Sequence, residues 1–467
     1  MNLHIMKLNL KYGFLFAMLA LGTGKAFGQQ SKVANIDTLI QRANRLGLFS
    51  GNVLVADHGK VIYKTAIGYA DAAKTIRLTD QYRFHIGSIA KEFNAVGIMM
   101  LEEQGKLSLD DKVSKYLPQL PAWASKIRII NLLQYTSGLP DVKWKTAKND
   151  ADNMVDLMKI DSLDFEPGKK YAYNNNNVFL QRRIIEKITG ISFKQFVEDY
   201  ELKPAGMNTA IVDPTENDKL IARSFNNDGK TDDLVYPISG WTAVTLDDFY
   251  AWANAIIKFK LISPVATREI INGVTPGRQS GLGGGSMDGD KMISHVHDGT
   301  SLNYQALLVS KVPEGVTIIL MTNNKQGNLY SIEKSIEAIL DGKPYAQVKR
   351  SFLDTFSAKL DLMSGEQIIS FYSDLKTKHG NEYSFDDEST LNETGYYLMS
   401  KKRLTDAVRI FEYNTQLFPK SGNVFDSLGE AYYNQSNKSL ALLNYKKSLQ
   451  LDPANENAKK FITELDK

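Results

Sequence analysis

Two hairpin signatures, far apart in the chain, limit its fold more than any other feature. Residues 52–56 and 60–69 are β-rich runs on either side of Asp57-His58-Gly59, and an Asp-x-Gly turn between such runs reads as a β-hairpin. Tyr304–Val309 and Val316–Met321 flank Pro313-Glu314-Gly315 in the same way. Between the two, the apolar period is helical. Ile89, Phe93, Val96 and Met100 are spaced 4, 3 and 4 apart, which predicts a helix over Ser88–Gln104 closed by Gly105. Helices are also predicted over 32–47, 177–189, 192–200, 245–257 and 331–340, the fourth opened by Thr245 with Asp247 and Asp248. Strands at both ends of 30–345, with helices between, predict an α+β fold in which helices flank an antiparallel sheet built from both ends.

The leading segment reads as an address. Residues 1–28 hold Lys7, Lys11 and Lys25, no acid, an apolar stretch Gly13–Leu21, and small residues in Ala26-Phe27-Gly28 where a signal peptidase reads. This is expected to be a secretory signal cut before Gln29. The stretch is shorter than the about 20 apolar residues that span a bilayer. The whole chain has 56 Lys+Arg against 53 Asp+Glu, a net of +3, and the three leader lysines account for it. A balanced mature chain lacks the basic footprint of a nucleic-acid binder. The absence of cysteine removes thiol nucleophiles, disulfides, Cys-based metal sites and a lipid-modified N-terminal cysteine. The expected location is the periplasm or the medium, with no transmembrane segment in the mature chain.

The C-terminal region has its own period. Ala407, Phe411 and Pro419 recur 34 residues later as Ala441, Tyr445 and Pro453, and Gly395 keeps that offset to Gly429. Leu428 and Tyr432 fill further places in the second copy, whereas Leu391, Leu398 and Asn414 depart from the pattern in the first. A 34-residue period of this kind resembles tetratricopeptide repeats. It predicts an all-α helical repeat over 388–467, with 454–466 as a capping helix and 346–387 as a linker. Such repeats imply a surface for a protein or peptide partner.

The chemistry begins at Ser88-Ile89-Ala90-Lys91. Positions three apart on a helix share a face, so an amine sits beside the hydroxyl. Serine is a poor nucleophile until a neighbour accepts its proton. A lysine does so when burial and nearby charge lower its pKa. Gly87 and the helix start put Ser88 at the positive end of the helix dipole, where an oxyanion is favoured. Glu92 points about 100° further round the helix and reads as a solvated or supporting residue. His295 and His297 have no third ligand at metal spacing, so no metal and no cofactor are expected. The glycine run 280–289 lacks a phosphate-loop pattern and reads as a flexible loop.

Context decides between this and a chance motif. The run from Arg83 is followed by Ile129–Pro140 (IINLLQYTSGLP), then Phe165-Glu166-Pro167-Gly168, Tyr173-Asn174-Asn175 and His297-Asp298-Gly299. These blocks, in this order, resemble the serine β-lactamase and penicillin-binding-protein superfamily over residues 32–345. Within it, the blocks look most like the branch of class C β-lactamases, D-alanyl-D-alanine carboxypeptidases and related esterases. The resemblance implies an antiparallel sheet flanked by helices with a helical subdomain, the β-lactamase/transpeptidase-like fold. It implies Ser88 as the acylated nucleophile with Lys91 as its partner. It implies Tyr173 as a phenolate held down in pKa by Lys91, relaying protons. Asn175 would bond both Lys91 and the substrate carbonyl. His297 would face substrate where most true β-lactamases have lysine, which shifts weight toward peptidase or esterase chemistry. Gly299 would leave room for substrate, and the Thr300 and Ser88 amides would form the oxyanion hole. Tyr135, where many relatives have histidine, reads as structural. The whole points to an exported serine hydrolase acting on an ester or amide. The alternative is a hydrolase-fold binding protein that recruits partners through its repeats.

Overall fold

The computed structural model describes residues 30–273 and 277–465, so the expected leader lies outside the described residues. The chain divides into two compact units after Ala346. In the first unit, α1 (30–45) precedes β1 (Gly51–Asp57) and β2 (Lys60–Ile67). His58 and Gly59 both take positive φ between the strands, which suits the tight hairpin the Asp-x-Gly turn predicts. β3 (Phe84–His85) follows, then a 3-10 turn Gly87–Ala90 that runs directly into α2 (Lys91–Glu103). The helical insertion holds α3 (Val113–Tyr116), α4 (Ile129–Leu133), α5 (Asp150–Met158), α6 (Asn175–Thr189), α7 (Phe193–Val197) and α8 (Lys203–Ala205). Next come β4 (Ile211–Val212), β5 (Thr242–Val244), α9 (Leu246–Ile257) and α10 (Pro264–Ile271). Thr245 caps α9 through a reciprocal bond with Asp248, as its sequence predicts. The unit closes with β6 (Gly284–Asp288), β7 (Lys291–Ser301), β8 (Tyr304–Lys311), β9 (Val316–Thr322) and α11 (Leu329–Leu340).

Six strands make one antiparallel sheet in the order β2-β1-β9-β8-β7-β6, and β3, β5 and β4 make a second of three. The two ends of the unit meet where β1 pairs β9, Gly51 opposite Thr322. β1 and β9 are buried almost throughout, because both faces of the large sheet are covered. Leu54, Ala306, Leu308, Ile319 and Met321 join the core that includes α2, α6 and α9. Val53, Val55, Leu307, Ile318 and Leu320 alternate onto the other face and are equally buried. The second half of the glycine run is not a loose loop: Gly284–Asp288 is β6, paired with β7 across a register shift after Ser286.

The second unit is wholly helical. α12 (Phe352–Leu360) and α13 (Gly365–His379) precede α14 (Ser389–Ser400), α15 (Leu404–Leu417), α16 (Gly422–Asn434), α17 (Lys438–Leu451) and α18 (Glu456–Leu465). The expected linker 346–387 is therefore a correction. Phe352, Leu360, Ile368, Tyr372 and Phe385 from that segment are buried in one core with α14–α17. The 34-residue period is visible as packing. A Cβ at Gly395 would lie 2.4 Å from the Phe411 ring, and one at Gly429 3.0 Å from the Tyr445 ring. Each pair of helices thus crosses at a glycine beneath an aromatic ring.

Candidate active site

β3, the 3-10 turn and α2 carry Ser88 and Lys91 from sheet to helix without a loop between them. The turn lies hard against β7. A Cβ at Gly87, whose φ is +56°, would sit 2.6 Å from the Thr300 nitrogen. One at Gly299 would sit 2.0 Å from the Ile86 oxygen and 2.9 Å from the Ser88 nitrogen. Only two glycines let these backbones touch. Gly299 therefore makes room for the nucleophile's own turn. β6 pairs with β7 only as far as Val296, so beyond it that edge of β7 meets the Ser88 turn, while the other edge stays paired with β8, Thr300 opposite Gln305.

Lys91 donates from Nζ to Ser88 Oγ at 3.0 Å and is 5% exposed. Burial, and then the Arg182 guanidinium, lower its pKa to about 7, against a smaller upward pull from Asp141. At neutral pH such an amine is partly unprotonated and can accept the serine proton. Its ammonium nitrogen also lies 5.1 Å from the centre of the Tyr173 ring and 5.5 Å from that of Trp241.

Tyr173 reaches the same point from the opposite side. Two of the four asparagines after it pin the chain to the segment before α5. Asn174 caps α6 and donates to the Leu139 carbonyl at 2.7 Å, and Asn176 donates to the Pro140 carbonyl at 2.8 Å. Tyr135, buried with a φ of 54°, places its ring 4.6 Å from that of Tyr173. Its carbonyl accepts from Ala172 N–H at 2.9 Å. Tyr173 keeps 36% of its surface exposed, yet the protein packed around the phenol pushes its pKa up to about 12, partly offset by a hydrogen bond with Ser88. The expected phenolate is thus corrected to a protonated phenol, with Lys91 as the group able to be neutral. Asn175 is also differently engaged. Its backbone N–H and side-chain amide both go to Asp141 Oδ1, at 2.8 and 3.4 Å, and no hydrogen bond joins it to Lys91 among the described residues.

The largest correction is His297. It is 2% exposed and turns inward, donating from Nδ1 to Glu92 Oε1 at 2.6 Å. Its Nδ1 is thus engaged by Glu92 rather than turned out toward substrate. Among the described residues no three His, Cys, Asp or Glu side chains are grouped to hold a metal ion.

Residues 34–340 match the family described as Beta-lactamase. The chain belongs to the beta-lactamase family. Among curated relatives, penicillin-binding protein 4* of Bacillus subtilis (strain 168) is 28% identical over 372 residues, 70% of this chain and 81% of that protein. A penicillin-binding protein structure from Bacillus halodurans superposes with a TM-score of 0.56 at 22% identity, covering 64% of this chain and 98% of that one. EstCE1, titled a hydrolase with promiscuous acyltransferase activity, gives a TM-score of 0.55 at 20% identity, covering 67% and 99%. At those identities the two structures speak for the fold. Members of this superfamily are serine hydrolases, and no helix among the described residues is long and apolar enough to cross a membrane.

Sequence reasoning missed Asp141, Trp241 and Arg182, which all reach Lys91 or its neighbours. Arg182 gave a signal: it stands on α6 between apolar Val178–Leu180 and Ile184–Ile185 and is 3% exposed, donating from Nε to Asn94 Oδ1 of α2 at 2.9 Å. A buried charge of that kind is rarely idle. Asp141 and Trp241 lie in irregular segments and carried no such mark.

Proposed function

We propose that this family member is an exported hydrolase that opens an ester or amide through an acyl-enzyme on Ser88. One observation carries the reading: Ser88 Oγ is 3.0 Å from a lysine whose pKa is lowered to about 7. In the proposed cycle Lys91 takes the Ser88 proton as Oγ attacks the carbonyl. Tyr173, protonated, passes a proton to the leaving group and is re-protonated through Lys91. The Ser88 and Thr300 amides stabilise the oxyanion. Water then releases the acyl group by the same route in reverse. The inward turn of His297 supports substrates that need no fixed cation at that place, so esters and neutral amides are favoured over β-lactams. The glycine-under-aromatic packing at the 34-residue offset supports tetratricopeptide-like repeats over 388–467, with a peptide or protein partner as their role. A fluorescent fluorophosphonate and a fluorescent penicillin should label the wild type and leave Ser88→Ala unlabelled. Equal labelling of Ser88→Ala would remove Ser88 as the nucleophile.

A further inference from the structure

Lys91 and Glu92 are neighbours in sequence with separate surroundings. Lys91 faces Ser88, whereas Glu92 is turned beneath the sheet and is 0% exposed. Three N–H donors converge on it. His295 Nε2 and His297 Nδ1, both on β7, donate to Oε1 at 2.8 and 2.6 Å. Trp252 Nε1, on α9, donates to Oε2 at 2.6 Å. Burial works against its charge, but the His295 and His297 rings hold the carboxyl well below the usual carboxylate range.

The placement of these bonds matters more than their number. His295, His297 and Gly299 lie on one face of β7, two residues apart. Two are held by Glu92, and the third rests on the backbone of Ile86 and Ser88. One carboxylate on α2 therefore fixes the height and register of the strand whose next residue, Thr300, stands beside the nucleophile. A buried carboxylate is a short, stiff link, since it cannot shorten, lengthen or lose a partner cheaply.

We propose that Glu92 is a positioning residue: through His295 and His297 it sets the spacing between the nucleophile helix and the Thr300 edge of β7, and so the geometry of the oxyanion site. This rests on Ser88 being the nucleophile. A drift of about 1 Å between attacking and stabilising groups costs rate more than affinity, on the order of 10- to 100-fold.

The test uses the full chain, p-nitrophenyl acetate as probe substrate, and active sites counted by fluorophosphonate labelling. Glu92→Gln keeps the shape but sets an amide N–H against at least one of the three donors. It should lower kcat per labelled site about 10-fold or more while KM stays within about two-fold. His297→Asn, whose amide N–H can replace the Nδ1–H, should keep kcat within about three-fold, whereas His297→Leu should fall as Glu92→Gln does. That pair decides the matter if Glu92→Gln does not fold. Glu201→Gln is the control. Glu201 is also fully buried beside α2, and neither of its oxygens has a hydrogen-bond partner. It should change stability and leave kcat per site unaltered. The proposal is overturned if folded Glu92→Gln keeps wild-type kcat per site, if His297→Leu matches His297→Asn, or if Glu201→Gln loses kcat equally. Labelling of Ser88→Ala is the separate arm on which the nucleophile assignment itself would fail.

Discussion

Replacing Lys91 by Met should stabilise the protein while inactivating it, and the gain should shrink as pH rises. Lys91 is almost fully buried, and its pKa is lowered from 10.5 to about 7, first by burial and then by Arg182. Between those two values the unfolded chain holds a proton that the folded chain has lost. Unfolding then binds protons, so wild-type stability rises with pH across the window. At pH 7 the cost of housing this amine is about 4 kcal/mol, and by pH 9 it falls to about 2 kcal/mol. Lys91→Met removes that cost, fills similar space, and forfeits one hydrogen bond to Ser88 worth about 1 kcal/mol. The variant should therefore be more stable by about 3 kcal/mol at pH 7, with the advantage falling by about 2 kcal/mol at pH 9. Urea unfolding followed by tryptophan fluorescence reads this cleanly. The four tryptophans, Trp123, Trp144, Trp241 and Trp252, all lie before Ala346, so the signal reports the first unit alone. A stability difference that does not change between pH 7 and 9 would mean that Lys91 enters the folded state with its proton, and the general-base assignment would fall. The wild-type acylation rate should rise with pH through about 7 for the same reason.

Two further outcomes follow from the site. Tyr173→Phe should lower kcat/KM by about 10²- to 10⁴-fold. Because burial pushes the Tyr173 phenol up to about 12, the wild-type pH–rate profile should show no tyrosine limb below pH 10; a limb near pH 8 would restore the phenolate. Gly299→Ala would place a Cβ 2.0 Å from the Ile86 oxygen. It should cost about 3 kcal/mol or more in urea unfolding and abolish fluorophosphonate labelling; an alanine variant that labels normally would show that β7 can yield there.

Legibility from sequence followed the range of the interactions. Both hairpins, the helix carrying Ser88 and Lys91, the capping of α9 and the 34-residue period are set by neighbours within a few residues or by a repeating pattern. They could be read directly. The helices of 352–379 carry the same kind of signal in Phe352, Phe356 and Leu360, whose spacing of four marks a helix rather than a linker. The motif order indicated which side chains meet, because a nucleophile needs its base wherever the chain places it.

Direction and depth were not readable. The sequence by itself determined that Ser88 has Lys91 on its face, that strands from both ends build one sheet, and that two helix pairs repeat. Only the tertiary structure decided that His297 looks inward to Glu92, that Gly299 serves the Ser88 turn, and that Tyr173 stays protonated. It also decided that Lys91 loses its ordinary basicity. The physical reason is common to all four. Strand facing depends on register with β8 and β6, close approach on how the turn sits against β7, and a pKa on how much water and charge remain around a group once distant segments such as α6 and β7 have closed over it.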